Sequence, residues 1–396
     1  MECAYCLVDI KSRASTYGVG TYLFYMASYI KQNNWYLLYI EISRTAEQCY
    51  SYTDDNSYVH LVLPFYEKIE EQNVISLLEN LIPTYKRVIF HFNMPFGLVQ
   101  WANLFRIVFP YSKIICTVHY FSWCFILNGN KKLLHEIING NKDCHPRAET
   151  IYSGFVENQN SFNACDRIIA LCQFAKDHLI NDFGVNSNKI DVIPNGLEPR
   201  IEKPKKYEYS NHPTILFVGR IDLVKGVHLL INSFLEVRKS HPHALLYIAG
   251  DAKDSEYMKS CENLTNRVSF LGRLSRSELL KLYDKADIGV LPSFHEQCSY
   301  TAIEMMAHGL PFVSTNTTGM KEMLDITPEN RLDIDEDNFN CKMFVQELSA
   351  KMLRLINDIN YRNKSAQLLF NQYKREYTLK RNFVRMDVFF SKLYKV

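Results

Sequence analysis

From end to end the chain alternates apolar runs of strand length with segments of helical periodicity, and no other pattern narrows so far what it can become. Strands separated by helices form βαβ units, and βαβ units build parallel sheets. The candidate strands of the first half are 4–10, 36–42, 59–63, 88–92, 114–118, 168–171 and 190–193. Those of the second are 214–218, 245–249, 268–271, 288–291 and 312–314. A chain of 396 residues exceeds the size at which one core stops growing, so two domains are expected. Between the two strand sets, residues 194–206 concentrate Pro, Gly and charge, as linkers do. The expected division is an N-terminal domain over 1–200 and a C-terminal domain over 201–375, both α/β and both Rossmann-like, doubly wound parallel sheets. The remaining stretch, 376–396, sets Phe383, Met386, Phe390 and Leu393 at helical spacing among Lys380, Arg381, Arg385 and Lys392. That is an amphipathic helix, which must pack on something.

A net charge of +2 gives no whole-molecule field for nucleic acid, and no extended basic stretch is interleaved with stacking aromatics, so nucleic-acid binding is disfavoured. No apolar stretch approaches the roughly 18 residues a membrane-spanning helix needs, and the start Met1-Glu2-Cys3-Ala4-Tyr5-Cys6 lacks the basic lead of a signal peptide. A cytoplasmic protein is expected. The 11 cysteines are scattered in apolar contexts and read as reduced, buried thiols. Cys3 and Cys6 lie on one strand with opposite facing, no second pair has zinc spacing, and no metal site is expected.

Two carboxylates stand out. Residues 286–293 read as a buried strand, and 302–307 as a helix ended by Gly309 and Pro311. Glu296 then lies in the loop at the strand's carboxyl end, and Glu304 about one turn into the helix. In open α/β sheets ligands bind at that edge, where a helix N-terminus suits an anion such as phosphate. Taken alone, the pair reads better as a solvated loop acid and a surface helix acid. A second such edge follows the run 215–218: Gly219-Arg220-Ile221-Asp222-Leu223-Val224-Lys225-Gly226 places two cations and two glycines in one short loop, a combination that suits a diphosphate. In the first half, Ser15-Thr16-Tyr17-Gly18-Val19-Gly20-Thr21 opens a helix with two glycines but lacks the third of the dinucleotide fingerprint. It is a phosphate-cradling loop or a plain tight turn. His119 ends the strand 114–118, and His91 and Asn93 hold the same position after the strand before it. No nucleophile motif accompanies His119, so a hydrolase triad lacks support.

Taken together, Gly18-Val19-Gly20, Thr117-Val118-His119, Ile193-Pro194-Asn195-Gly196, Gly219-Arg220 with Lys225-Gly226, and Glu296 with Glu304 resemble, in order, the motifs of the retaining glycosyltransferases of family 4. The resemblance implies the GT-B fold, two Rossmann-like domains facing a central cleft, with the last helix crossing back to the N-terminal domain. It implies a hexose transferred from a nucleotide-diphosphate sugar held by the C-terminal domain to a glycan, lipid-linked or peptide acceptor held by the N-terminal domain. No cofactor is implied beyond that co-substrate. Arg220 and Lys225 would neutralise the leaving diphosphate in place of a metal, joined by the N–H groups of Tyr300 and Thr301 at a helix start beside Ser299. Glu304 would accept from ribose hydroxyls, Glu296 would contact the transferred sugar, and His119 its 6-position or the acceptor. Gly18 and Gly20 would let the first domain close over the diphosphate.

Two departures concern sugar choice. Gln297-Cys298-Ser299-Tyr300 replaces the family's Gly-Phe-Gly-like run, and only Gly250-Asp251 remains of a glycine-rich turn. Phe121, Trp123, Phe125, Ile126 and Leu127, followed by Lys131 and Lys132, form either an acceptor wall, ordinary core, or a peripheral contact with the inner face of a membrane. The competing functions are a nucleotide-sugar 2-epimerase on the same fold and a non-catalytic sugar-nucleotide-binding scaffold. A degenerate scaffold would be expected to lose a cation or a glutamate, and this chain keeps Arg220, Lys225, Glu296 and Glu304.

Overall fold

The structure is a computed structural model that describes residues 3–10, 17–82, 87–252, 254, 258–259, 267–334 and 339–394. Ser15 and Thr16 of the first glycine-bearing segment lie outside the described residues. The chain forms two compact units, Met1–Phe121 with Gly140–Ile193 and Phe383–Val396, and Ser122–Asn139 with Pro194–Asn382.

The first unit is built on eight strands: β1 (Cys3–Ile10), β2 (Tyr36–Ser43), β3 (Tyr50–Thr53), β4 (Val59–Pro64), β5 (Arg87–Phe92), β6 (Lys113–Val118), β7 (Arg167–Ala170) and β8 (Ile190–Val192). Their order is β3-β4-β2-β1-β5-β6-β7-β8. Every pairing is parallel except β3 with β4. β1 is buried along almost its whole length, as a central strand covered on both faces must be. β3 escaped the sequence reading because its Tyr-Ser-Tyr-Thr alternation lasts only four residues and all four are exposed. The last helix, Leu379–Leu393, begins after a π-helical turn at Tyr373–Tyr377 rather than at 376. Its apolar face has a partner: Phe390 stacks on Tyr29 at 5.7 Å and meets Trp35 edge-on at 5.1 Å, while Tyr29 donates to Asp387 at 2.8 Å.

The second unit holds β9 (Thr214–Val218), β10 (Leu245–Ala249), β11 (Val268–Gly272), β12 (Ile288–Leu291), β13 (Phe312–Thr315) and β14 (Arg331–Leu332). The order is β11-β10-β9-β12-β13-β14, all parallel. Counted within the unit this is 3-2-1-4-5-6, a doubly wound sheet whose order reverses between β9 and β12. β14, only two residues long, has no readable period. Its core joins β9, β10 and β12 to the helices Val227–Ser240 and Cys341–Asn357 through Phe217, Val290, Phe234 and Leu348.

Two boundaries differ from the sequence expectation. The chain enters the second unit at Pro194, not after residue 200, and residues 122–139 belong to that unit although they lie deep in the first half of the sequence. The entry segment is pinned rather than slack. Leu197 exchanges backbone hydrogen bonds with Tyr377 and Leu379 at 2.9 and 2.8 Å, and Asn382 donates to Pro194 O at 2.7 Å. Phe121, Trp123 and Leu127 are buried, so they present nothing to a bilayer. Among the described residues no helix is long and apolar enough to cross a membrane.

Candidate functional site

Because β9 and β12 are neighbours at the reversal, the loops leaving their carboxyl ends flank one crevice of the second unit. After β9 the chain makes a short 3-10 turn, Leu223–Lys225, capped by Asp222, whose carboxylate accepts from Lys225 N at 3.0 Å. Gly226 follows at φ +65°, and a Cβ there would come 2.3 Å from Pro292 O. Only glycine lets this loop lie against the end of β12. Phe294 N then donates to Val224 O at 2.8 Å, lacing the two loops together.

The lacing carries Lys225 Nζ to 2.5 Å from Glu296 Oε1, and Ser293 Oγ donates to the same oxygen at 3.2 Å. Both charged side chains are about 15% exposed, enough enclosure for the pair to resist solvent screening. The Glu296 backbone is held as firmly as its carboxylate. Its N–H donates to Thr318 Oγ1 at 3.1 Å, and its carbonyl accepts from Gly319 N at 2.9 Å and from the Thr318 hydroxyl. Thr318 sits at φ +46°, a conformation a β-branched residue adopts only when its surroundings over-determine it. Arg220 lies on the same loop as Lys225, with Nε 3.3 Å from Asp222 Oδ2 and its guanidinium 5.6 Å from the centre of the Phe125 ring. Phe125 also meets His295 edge-on at 5.8 Å.

The helix after Glu296 runs Tyr300–Ala307 and begins two residues earlier than its apolar pattern indicates, because Ser299 caps it by accepting from Ala302 N. Its first-turn N–H groups, at Tyr300 and Thr301, are those that helical geometry leaves without an intrahelical acceptor. The helix sits low on the sheet because Gly289 has no side chain: a Cβ there would come 2.4 Å from Met305 Sδ. Glu304 is consequently buried, not a surface acid. Its Oε2 accepts from Tyr283 OH at 2.6 Å and its Oε1 is ion-paired with Arg276. Burial, then the charge of Glu304, push the Tyr283 hydroxyl well above its ordinary pKa, so it remains a donor. Each carboxylate oxygen has two lone pairs, which leaves Glu304 one further acceptor position on each. Gln297, Cys298 and Ser299 are buried as well, and Asn195 Nδ2 donates to Cys298 O at 2.7 Å.

In the first unit the carboxyl ends of β5 and β6 carry a buried hydrogen-bonded chain. Tyr5 OH meets His91 Nδ1 at 2.7 Å, His91 Nε2 meets Thr117 Oγ1 at 2.7 Å, and Thr117 meets Tyr22 OH at 2.8 Å. Tyr22 then packs edge-on against His119 at 4.7 Å, and His119 Nε2 lies 3.2 Å from Asn93 Oδ1. An amide oxygen only accepts, so Nε2 carries the proton and Nδ1 is left as the acceptor. Burial pulls both histidines down to about 3, and each is neutral at pH 7. Gly18 and Gly20 are not loop residues. They form the first turn of the helix Gly18–Gln32, the same helix that carries Tyr22 to His119.

The second unit thus brings Arg220, Lys225, Glu296 and the start of the 300–307 helix to one crevice, with Glu304 in that helix's interior-facing side. His119, Gly18 and Gly20 share the carboxyl edge of the other sheet. Sequence reasoning did not find Thr318, Tyr283 or Arg276, and it named Asn195 only within a motif, Phe125 only within an aromatic stretch and Ser293 only as the end of a strand, none of them at this crevice. Ser293 was readable as a polar neighbour of an apolar strand, whereas Tyr283 lies in the preceding helix, Arg276–Lys285. The partnership of Phe125 with Arg220, 95 positions apart, had no local signal. Among the described residues no three His, Cys, Asp or Glu side chains converge as a metal site would require.

Comparison with known proteins matches residues 212–358 to the family described as "Glycosyl transferases group 1" and residues 17–200 to "Glycosyltransferase Family 4". A glycogen synthase of Mycobacterium tuberculosis is 31% identical over 161 residues, 40% of this chain and 39% of that protein. A D-inositol 3-phosphate glycosyltransferase of Segniliparus rotundus is 29% identical over 170 residues, covering 39% and 38%. The matched regions thus span about two-fifths of the length of these relatives. Among solved structures, sucrose-phosphate synthase from Thermosynechococcus elongatus superposes with a TM-score of 0.72 at 15% identity, over 98% of this chain and 99% of that one. HepE of Anabaena, in complex with UDP and glucose, gives 0.70 at 16% identity over 97% and 99%.

Proposed function

The chain belongs to the family 4 glycosyltransferases and has their GT-B fold, and on that premise we propose that it transfers a hexose, with retention, from a nucleotide-diphosphate sugar to a glycan, lipid-linked or peptide acceptor. The observation that carries this reading is the Lys225–Glu296 pair at the reversal of the second sheet, beside the start of the Tyr300–Ala307 helix. A diphosphate is the stronger partner for Lys225, because it presents more charge than one carboxylate. Its arrival exchanges one ion pair for another and frees Glu296 Oε1 for a sugar hydroxyl. Arg220 takes a second phosphate oxygen, and the N–H groups of Tyr300 and Thr301 supply the dipole end of the helix.

As the anomeric carbon–oxygen bond breaks, negative charge grows on the departing phosphate and positive charge on the sugar ring. Cations and N–H groups fixed in advance favour the first, and the Glu296 carboxylate favours the second. Retention follows from attack on the face the phosphate leaves, with that phosphate taking the acceptor's proton. Glu304, held by Tyr283 and Arg276, offers its remaining lone pairs to the ribose. Because His295, Gln297 and Cys298 are buried, sugar selection falls to backbone groups of that loop and to the half-buried Phe125 at its edge. Acceptor recognition is assigned to the carboxyl edge of the first sheet, where neutral His119 presents Nδ1 as an acceptor near the glycine-opened helix. The HepE complex with UDP and glucose supports a nucleotide-sugar donor by likeness of fold.

The test is a thermal-shift panel of UDP, GDP, ADP and their sugars, followed by detection of released nucleotide. A ligand at about 100 times its dissociation constant adds roughly 2.7 kcal/mol to stability. A flat response to every nucleotide overturns the proposal.

A further inference from the structure

At the amino ends of β5, β6 and β7, the edge of the first sheet opposite to His119, Arg87, Arg106 and Lys113 line a cavity of about 380 Å³ with Ser112, Asp166 and Tyr394. The strand β6 itself separates the two edges, since Lys113 and Val118 are its ends and six extended residues span roughly 17 Å. Among the described lining residues the charges do not cancel. Asp166 is committed to the fold, accepting from Ile114 N at 2.7 Å and from Arg106 Nη2 at 3.3 Å. Among the described residues no carboxylate pairs with Arg87 or Lys113, and Arg87 lies instead over the Tyr394 ring at 4.7 Å. Among the described residues, three cations against one carboxylate leave two positive charges. Ser112 adds a hydroxyl that is buried and has no hydrogen-bond partner among the described residues. An unpaired buried hydroxyl costs stability unless something else bonds it.

We propose that this cavity is an anion site for a phosphate monoester, separate from the donor crevice of the second unit. A phosphomonoester carries close to two negative charges at neutral pH, which matches the excess, and its oxygens suit the Arg87 fork, the Lys113 ammonium and the N–H groups of Arg106 other than Nη2, which Asp166 and Ala164 O occupy. The volume exceeds that of phosphate alone and leaves room for the esterified group. A second cavity of about 290 Å³ shares the Arg87 and Tyr394 wall and is lined by Trp35 and by Asp387, which already accepts from Tyr29; the half-buried Trp35 ring is a surface on which a sugar or glyceryl group can rest. The esterified group is therefore either a soluble sugar or the glyceryl end of a lipid.

The experiment is a titration of the full chain with inorganic phosphate and with glucose 6-phosphate by calorimetry, at constant ionic strength. Parallel arms use Arg87→Ala, Lys113→Ala, Lys113→Arg and Lys225→Ala, each checked for an unchanged melting temperature without ligand. Saturable binding should persist in Lys225→Ala, weaken about tenfold in Arg87→Ala and Lys113→Ala, and recover in Lys113→Arg. Binding lost in Lys225→Ala but intact in Arg87→Ala and Lys113→Ala places the anion in the donor crevice and overturns the proposal. No saturable binding of either phosphate, together with no co-sedimentation with phosphatidylcholine vesicles containing phosphatidic acid, also overturns it. Co-sedimentation that fails in the same two variants assigns the ester to a lipid, and soluble binding without co-sedimentation assigns it to a sugar phosphate.

Discussion

Lys225 Nζ lies 2.5 Å from Glu296 Oε1, across 71 residues of sequence, and each is the other's charged partner. The two residues assigned to opposite ends of a donor, its diphosphate and its sugar, are bound to each other in the folded chain. Each enclosed charge is thereby satisfied by the other, which avoids the penalty of an unpaired buried ion.

Replacing Glu296 by Gln keeps its size and its hydrogen bond to Ser293 but removes the charge. Transfer should fall roughly a hundredfold or more, the usual cost of one preorganised electrostatic contact. Nucleotide affinity should hold or rise slightly, since Lys225 no longer has a carboxylate to leave. Full transfer activity in Glu296→Gln, measured as released nucleotide, would remove Glu296 from the mechanism.

Tyr283→Phe deletes the 2.6 Å hydrogen bond to Glu304 Oε2 while keeping the ring. A bond to a charged group is worth about 1.5–3 kcal/mol, so a lower melting temperature is expected. If Glu304 binds ribose, KM for the donor should rise several-fold with kcat little changed. A drop in kcat at constant KM would instead tie Tyr283 to the chemical step.

Gly226→Ala puts a Cβ 2.3 Å from Pro292 O at a φ of +65°. The loop must move or the backbone must strain, at a cost of about 1–3 kcal/mol. Lys225 moves with it, and nucleotide affinity should fall well below that of the parent by calorimetry. Parent-like affinity and melting would mean the loop tolerates another path.

Burial holds His91 and His119 at about 3, against an ordinary 6.5. Between those values the unfolded chain takes up protons that the folded chain refuses. The stability contributed by neutral burial is therefore complete above pH 6.5 and is lost as pH falls toward 3. The limiting slope is about 1.4 kcal/mol per pH unit for each histidine. Urea midpoints measured from pH 7 to 4 should fall, and His119→Asn should fall less steeply. An identical decline in both proteins would show that His119 is not held neutral.

What could be read in advance followed from period and composition. Strands such as Thr214–Val218 and Ile288–Leu291 matched their apolar runs residue for residue, because a strand buried on both faces must be apolar throughout. Tyr50–Thr53 and Arg331–Leu332 were missed because an exposed edge strand and a two-residue strand carry no such imprint. The helix carrying Glu304 was found two residues short, since Ser299, Tyr300 and Thr301 contribute capping rather than apolar period. Gly18 and Gly20 looked like a loop and are a helical turn, because glycine's weak helix propensity is overridden by the packing of Tyr22 and its neighbours.

The sequence by itself determined the α/β class, the two sheets, and the charged residues that stand at strand ends, because these depend on local period and on residue type. Only the tertiary structure decided who meets whom. Lys225 faces Glu296 because the sheet order reverses between β9 and β12, and Glu304 is buried against Tyr283 because Gly289 lets its helix down onto the sheet. Phe125 reaches Arg220 because residues 122–139 fold with the second unit. Such pairings are set by strand order and close packing, which no stretch of neighbouring residues encodes.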